Sequence, residues 1–201
     1  MFEQIKHHLS STDINQCQRL FHGRGHAYPN LSHVNVDWFS PVILLTLYQA
    51  VEADWLSQQV NGLSKLVALN GRCRSIQVQH RYQKYAPIEL VWGEAIERVI
   101  VEEHGLNYHI QLGKSQNCGL FLDMANGRQW LIDNAQDRKI LNLFAYTCAF
   151  SIAGIAGGAK QVINIDMAKA SLSKGRDNHK LNKQDLGKVK FEGVDIFKSY
   201  G

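Results

Sequence analysis

One stretch constrains the fold more than any other: residues 139–166, KILNLFAYTCAFSIAGIAGGAKQVINID. It opens on an apolar run, Ile140 to Phe144, passes through a short loop, Ala145 to Cys148, and continues with helical apolar spacing to Gly157-Gly158. A second apolar run, Val162 to Ile165, ends on Asp166. Short apolar runs bounded by breakers read as buried parallel strands, and the piece between them as the crossover helix. The stretch therefore reads as a βαβ unit with an acid at the tip of its second strand. In such a unit a nucleoside ligand lies across the carboxyl ends of the strands, and the acid accepts hydrogen bonds from ribose hydroxyls.

The turn narrows the ligand. Binding a pyrophosphate takes G-x-G-x-x-G, because glycines let the backbone approach the phosphates. Ala145-Tyr146-Thr147-Cys148 contains no glycine. That argues against NAD or FAD, and against a nucleotide-dependent oxidoreductase. It favours a nucleoside without a pyrophosphate, and S-adenosylmethionine fits. Asp166 is the ribose acceptor in this reading, with N-capping of the next helix as its plainer role. The backbone N–H groups of Tyr146 and Thr147, at a helix N-terminus, are candidates to hold a ligand carboxylate. Thr147 also reads as a helix cap, and Phe144 as core.

Several motifs together resemble a known family. They are N-L-F-A-Y-T-C-A-F-S (142–151), I-D-M-A (165–168) and G-L-F-L-D (119–123). They look like the class I S-adenosylmethionine-dependent methyltransferases that modify bacterial large-subunit ribosomal RNA at carbon 5 of cytosine or nitrogen 7 of guanine. That family carries N-x-F-x-Y-T-G-x-F-S, preceded by G-x-[FY]-L-D-x-R-x-x-R. The likeness is strong from about Val101 to Phe197. Two positions depart from it: Cys148 stands where the family has glycine, and Ala125 where it has the first arginine. Arg128 matches the second.

The resemblance implies an α/β fold, with a Rossmann-like methyltransferase core behind a small α+β domain. The expected cofactor is S-adenosylmethionine. Phe121, Asp123 and Arg128 become cofactor contacts, with Arg128 pairing the ligand carboxylate. Asn142, Phe144, Tyr146, Thr147, Asp166 and Met167 join them. So do Asp195 and Ile196, after the third strand, where the fold contacts adenine; a plain turn is the other reading of Asp195. Cys148 lies in the cofactor loop, and a buried cysteine is more often a small hydrophobe than a nucleophile. The catalytic group and the N/D-P-P-x-F strand tip of the family are expected beyond Gly201, in a longer product. The alternative is a catalytically incomplete cofactor- or RNA-binding module.

Charge and composition set the outer bounds. Lys and Arg number 22 against 18 Asp and Glu, a net charge of +4. That mild basic excess is compatible with a nucleic-acid partner. Arg72, Arg74, Arg81, Tyr82 and Lys84 interleave cations with aromatics, a pattern that binds phosphates and stacks unpaired bases. A solvated strand face gives the same pattern. The four cysteines are widely spaced with no C-x-x-C, and the histidines are scattered, so no metal site is expected. No secretory signal and no membrane span are legible, which leaves the cytoplasm.

Residues 1–95 read as the small domain and 96–201 as a hairpin plus the core. Within the first, a helix is expected over 1–20 with a break at 10–13, then a loop over 21–30. Strands are expected at 33–39, 42–48, 66–69 and 75–80, and a helix over 49–60 that ends at Asn61-Gly62. Segments 99–103 and 106–112 form the hairpin. A helix over 168–181 and a strand over 189–192 complete a sheet in the order third, second, first. The outer edge of the first strand is left without a partner.

Overall fold

The computed structural model describes residues 1–25, 27–66 and 71–199, without the side chains of Ser10 and Ser199. The chain divides into two compact units, residues 1–101 with 110–118 and residues 102–109 with 119–201.

The first unit is built on a five-stranded sheet in sequence order. Its strands are β1 (Gln18–His22), β2 (Val34–Phe39), β3 (Val42–Leu47), β4 (Ser75–His80) and β5 (Ile88–Gly93). All neighbours are antiparallel except β3 and β4, which are parallel. β2 and β3 are buried along their whole length. Helix α1 (Phe2–Ser11) buries Ile5 and Leu9, one turn apart on one face, against this sheet. Helix α2 (Ala53–Ser64) runs straight through Asn61-Gly62. There a Cβ on Gly62 would collide with the Phe2 ring, so this glycine is a notch for a side chain and does not stop the helix.

Two readings change in this unit. The segment from 18 to 22, expected as helix end and loop, is β1, because its backbone finds the free edge of β2. Strand β5 was not expected. It is a mostly exposed edge strand, so it lacks the apolar alternation that marks a strand in sequence. Most of the strand expected at 66–69 lies outside the described residues.

The second unit begins with the tip of a hairpin formed by β6 (Arg98–Glu103) and β7 (Leu106–Gln111). A 3₁₀ turn, Leu122–Met124, leads into α3 (Ala125–Asn134), a helix the sequence reading did not include. Then come β8 (Lys139–Leu143), α4 (Ala149–Ala156), β9 (Gln161–Ile165), α5 (Lys169–Leu181), β10 (Val189–Glu192) and a last turn, α6 (Ile196–Ser199). The sheet is parallel in the order β10-β9-β8, with Val189, Val162 and Ile140 in register. This is the expected third, second, first order of a Rossmann-like half-sheet.

β8 departs from the buried strand expected. Ile140 packs into a core with Val162 and Ala159, but Leu141 is 58% and Leu143 39% exposed. Only one face of β8 is covered among the described residues. Two asparagines of α5 and its C-cap hold the hairpin tip. Asn178 accepts from the His109 N–H at 2.9 Å, and Asn182 both accepts from and donates to the Asn107 backbone at 2.8 and 2.7 Å.

Candidate functional site

The site is assembled where β8, β9 and β10 end. The turn after β8 is unusual in its backbone. Phe144, Tyr146 and Cys148 adopt left-handed φ values of 54°, 47° and 61°. For residues with a Cβ this conformation costs about 1–2 kcal/mol each. Alternating left-handed residues aim successive N–H groups into a concavity that suits an anion. The anion here is the protein's own Asp166. Its Oδ2 accepts from the Tyr146 N–H at 2.8 Å, and its Oδ1 accepts from the Ala168 N–H at 2.8 Å. The expectation that the Tyr146 N–H holds a ligand carboxylate is therefore corrected. Thr147 is no helix cap either: its buried hydroxyl donates to the Gly119 carbonyl at 2.5 Å, and Cys148 is the N-cap of α4.

A pocket of about 160 Å³ opens beside this turn. Phe121, Arg128, Asn142, Phe144, Tyr146 and Thr147 all line it, so six of the eleven residues expected at a cofactor meet in one place. The Phe121 and Tyr146 rings lie 5.4 Å apart at a tilt. Leu120, Met124, Ala149 and Phe150 also line it, and no charge or breaker distinguishes them in the sequence.

Arg128 lines the pocket but is spoken for. It is 1% exposed, and its Nε and Nη2 bind the Glu103 carboxylate at 2.5 and 2.8 Å. Nη2 also donates to the Phe121 carbonyl at 2.9 Å. The carboxylate that Arg128 pairs is thus Glu103 of β6, and the expected ligand pairing is corrected. Arg128 fixes the backbone at Phe121. Glu103, a strand residue with no motif around it, was not legible as part of the site.

Asn142 is held by a buried chain of polar groups. Asn164 Nδ2 donates to the Lys190 carbonyl at 3.2 Å and to Ser151 Oγ at 3.0 Å. A backbone carbonyl only accepts, so it fixes which end of the Asn164 amide carries hydrogen. Asn164 Oδ1 then faces Asn142, whose Nδ2 donates to it at 2.8 Å. Ser151 in turn donates to His179 Nε2 at 2.9 Å, and His179 Nδ1 donates to Gln184 Oε1 at 2.6 Å. Gln184 Nε2 closes the chain on the Ile152 carbonyl at 2.9 Å. Every donor points the same way, and the scheme requires a neutral His179. Burial pushes its pKa down to about 4. The Ser-His-Gln geometry imitates a nucleophile and its base, but Ser151 and His179 are both fully buried.

The other five expected residues, Asp123, Asp166, Met167, Asp195 and Ile196, are not among those that line the pocket. Phe144 is 67% exposed, which corrects its reading as core, and its ring lies 6.0 Å from that of Phe197, itself exposed. Met167, which follows Asp166, is 68% exposed. Asp195 Oδ1 accepts from the Phe197 N–H at 3.0 Å, so it shapes the start of α6, and Ile196 is half-buried beside it. Asp123 is exposed on the 3₁₀ turn. Cys148 is fully buried, and burial together with the Asp166 charge pushes its thiol up to about 12. A thiol so seldom ionised is no nucleophile.

In the first unit the interleaved cations are mostly engaged. Arg74 binds Glu94 at 3.0 Å, Arg81 donates to the Gln116 carbonyl at 2.9 Å, and Arg72 donates to Asn15. Lys84 lies 5.0 Å from the centroid of the Tyr85 ring. Tyr82 is 42% exposed.

The family description "S-adenosylmethionine-dependent methyltransferase" matches residues 18–201. The chain belongs to the S-adenosylmethionine-dependent methyltransferases. A ribosomal RNA large subunit methyltransferase I of Tolumonas auensis is 38% identical over 111 residues, covering 54% of this chain and 28% of that protein. The protein of the same name from Enterobacter sp. (strain 638) is 27% identical over 202 residues, covering 98% of this chain and 50% of the relative. The chain thus spans about half the length of the curated relatives it matches from end to end. Among solved structures, a Streptococcus mutans protein of the SAM-dependent methyltransferase class superposes with a TM-score of 0.83 at 23% identity, over 99% of this chain and 53% of that one. A methyltransferase complexed with SAH gives 0.84 at 23% identity, over 99% and 50%. At that identity the likeness speaks for the methyltransferase fold. No helix among the described residues is long and apolar enough to cross a membrane.

Proposed function

We propose that this methyltransferase binds S-adenosylmethionine at the strand tips and methylates a base of large-subunit ribosomal RNA, in the cytoplasm. The observation that carries the reading is the turn at Phe144–Cys148 closed on Asp166. Its N–H groups are not free for a pyrophosphate: that of Tyr146 binds the Asp166 carboxylate, and those of Ala145 and Cys148 bind the Ile165 and Ala145 carbonyls. Family membership and the names of the relatives favour the acceptor.

The residues present fit this cofactor. Each Asp166 oxygen takes one backbone N–H, and a carboxylate offers about four lone-pair positions, so both oxygens keep capacity for ribose hydroxyls. Asn142 offers an amide oxygen to the pocket, since its nitrogen is committed to Asn164. That oxygen suits the ammonium of an amino-acid tail. Phe121 and Tyr146 give the pocket an apolar wall, and Phe144 with Phe197 a platform at the rim. Met167, Asp195 and Ile196 border the adenine end, and Asp123 the opposite rim. Bound there, the cofactor supplies an activated methyl group. The chain's own part is to orient and exclude water, and rate then comes from alignment of the reacting atoms. The family the sequence resembles modifies carbon 5 of cytosine or nitrogen 7 of guanine, and the assay below distinguishes these two targets.

Calorimetry with S-adenosylhomocysteine and with NAD tests the cofactor, and tritiated-methyl transfer to undermodified ribosomal RNA tests the reaction. Binding of S-adenosylhomocysteine with transfer to RNA is expected. NAD binding tighter than S-adenosylhomocysteine would overturn the reading.

A further inference from the structure

The positive charge of the chain is not spread evenly. Residues 169–198 hold eight Lys and Arg against four Asp and Glu, which leaves fourteen of each elsewhere. The whole net charge of +4 therefore belongs to α5, β10 and their flanks. Within that region a groove of about 280 Å³ is lined by Lys169, Ser173, Arg176, Phe191, Leu172 and Gly193. Arg176 lies over the Phe191 ring, 4.5 Å from its centroid. A guanidinium stacked this way keeps its in-plane N–H donors at the perimeter, available to a phosphate. Phe191 is itself braced edge-on by His179, with centroids 5.9 Å apart. Gly193 makes room for Lys169: a Cβ there would stand 2.7 Å from the lysine Cγ. Among the described residues neither Lys169 nor Arg176 makes an ion pair. Two acids nearby are engaged elsewhere, Asp177 with Lys180 at 3.4 Å and Asp195 with Lys198 at 3.8 Å, and Glu192, between Phe191 and Gly193 on the strand, does not line the groove.

We infer that this groove grips the phosphodiester backbone of the RNA acceptor. It lies at the carboxyl end of the sheet: Lys169 opens α5 three residues after Asp166, and Gly193 stands two residues before Asp195. A strand of RNA held there passes the same rim at which the cofactor residues gather. The RNA candidates in the first unit are mostly compensated by Glu94 or backbone carbonyls, whereas Lys169 and Arg176 are not. The inference rests on the acceptor being RNA, as proposed above.

The test is a salt titration of RNA affinity on the intact protein, with undermodified large-subunit ribosomal RNA as the probe. The double variant Lys169→Gln/Arg176→Gln is compared with Lys139→Gln/Lys160→Gln, which removes the same charge at the amino end of the same sheet. Each lost phosphate contact lowers the slope of log affinity against log salt by about 0.7–0.9. The groove variant should lose about 1.5 in slope and about tenfold or more in affinity at low salt. The control should change little, and both should bind S-adenosylhomocysteine as the parent does. Equal slopes for parent and groove variant, or equal losses in both doubles, would overturn the groove and leave the methyltransferase reading intact. A parent that binds neither RNA nor S-adenosylhomocysteine would overturn both.

Discussion

A Cβ on Gly175 would stand 2.8 Å from the Cβ of Cys148 and nearer still to its Sγ. The two positions are complementary. Cys148 holds a side chain in a left-handed conformation, and α5 yields the space. Gly175→Ala should cost about 1–3 kcal/mol through overpacking against the turn. Cys148→Gly should restore part of that loss, because it removes the colliding atoms and relaxes the φ of 61°. Denaturant melts of both singles and the double give the coupling. A coupling of zero would show that the two sites are independent.

The carboxylate of Asp166 closes the turn and, in the function proposed above, also meets a ribose. Asp166→Ala removes charge-assisted hydrogen bonds to the ligand, each worth about 1.5–3 kcal/mol. Affinity for S-adenosylhomocysteine should fall at least tenfold by calorimetry. The turn should also loosen, seen as faster hydrogen exchange at the Tyr146 amide. Unchanged affinity would leave Asp166 as a structural brace alone.

His179 makes stability depend on pH. Its folded pKa, about 4, lies below the ordinary value of 6.5. Between those values the unfolded imidazole takes a proton that the buried one refuses, so the unfolded state gains as pH falls. Stability should be level above pH 6.5 and drop by about 3 kcal/mol on the way to pH 4. His179→Gln should flatten that limb in a series of melts. An identical pH profile would mean that His179 protonates in place.

The pair between Arg128 and Glu103 is buried at both ends, with 1% and 2% of the side chains exposed. Breaking one partner of such a pair strands a buried charge and costs about 3–5 kcal/mol. Arg128→Met and Glu103→Leu should each cost that much, and the double variant less than either single. Because Nη2 also holds the Phe121 carbonyl, Arg128→Met should weaken cofactor binding as well. Melts with calorimetry at a temperature where the variants stay folded separate the two effects.

The βαβ core was legible because its signals are local. Apolar runs of four or five residues, glycines at the end of α4 and an acid after β9 lie within one stretch of sequence. What escaped reading depends on distant partners. β1 and β5 are strands because β2 and β4 offer them an edge. Phe144 looked like core because it continues an apolar run, yet the left-handed turn swings it out. Arg128 was found by its motif but assigned the wrong carboxylate, since Glu103 precedes it by 25 residues on a strand with no motif. The Ser151–His179–Gln184 chain left no trace in sequence, because its members lie on two helices and a loop.

The turn at Phe144, Tyr146 and Cys148 also bears on how the site can change. A glycine turn is soft: it samples many shapes, and most ligands can select one. Here three side chains are driven into backbone territory they resist, and the Asp166 carboxylate is one of the groups that hold them there. The shape is therefore held under tension that Asp166 helps to contain. A single change at Asp166 should alter the outline of the pocket itself. This site is better suited to keeping one ligand than to exploring others.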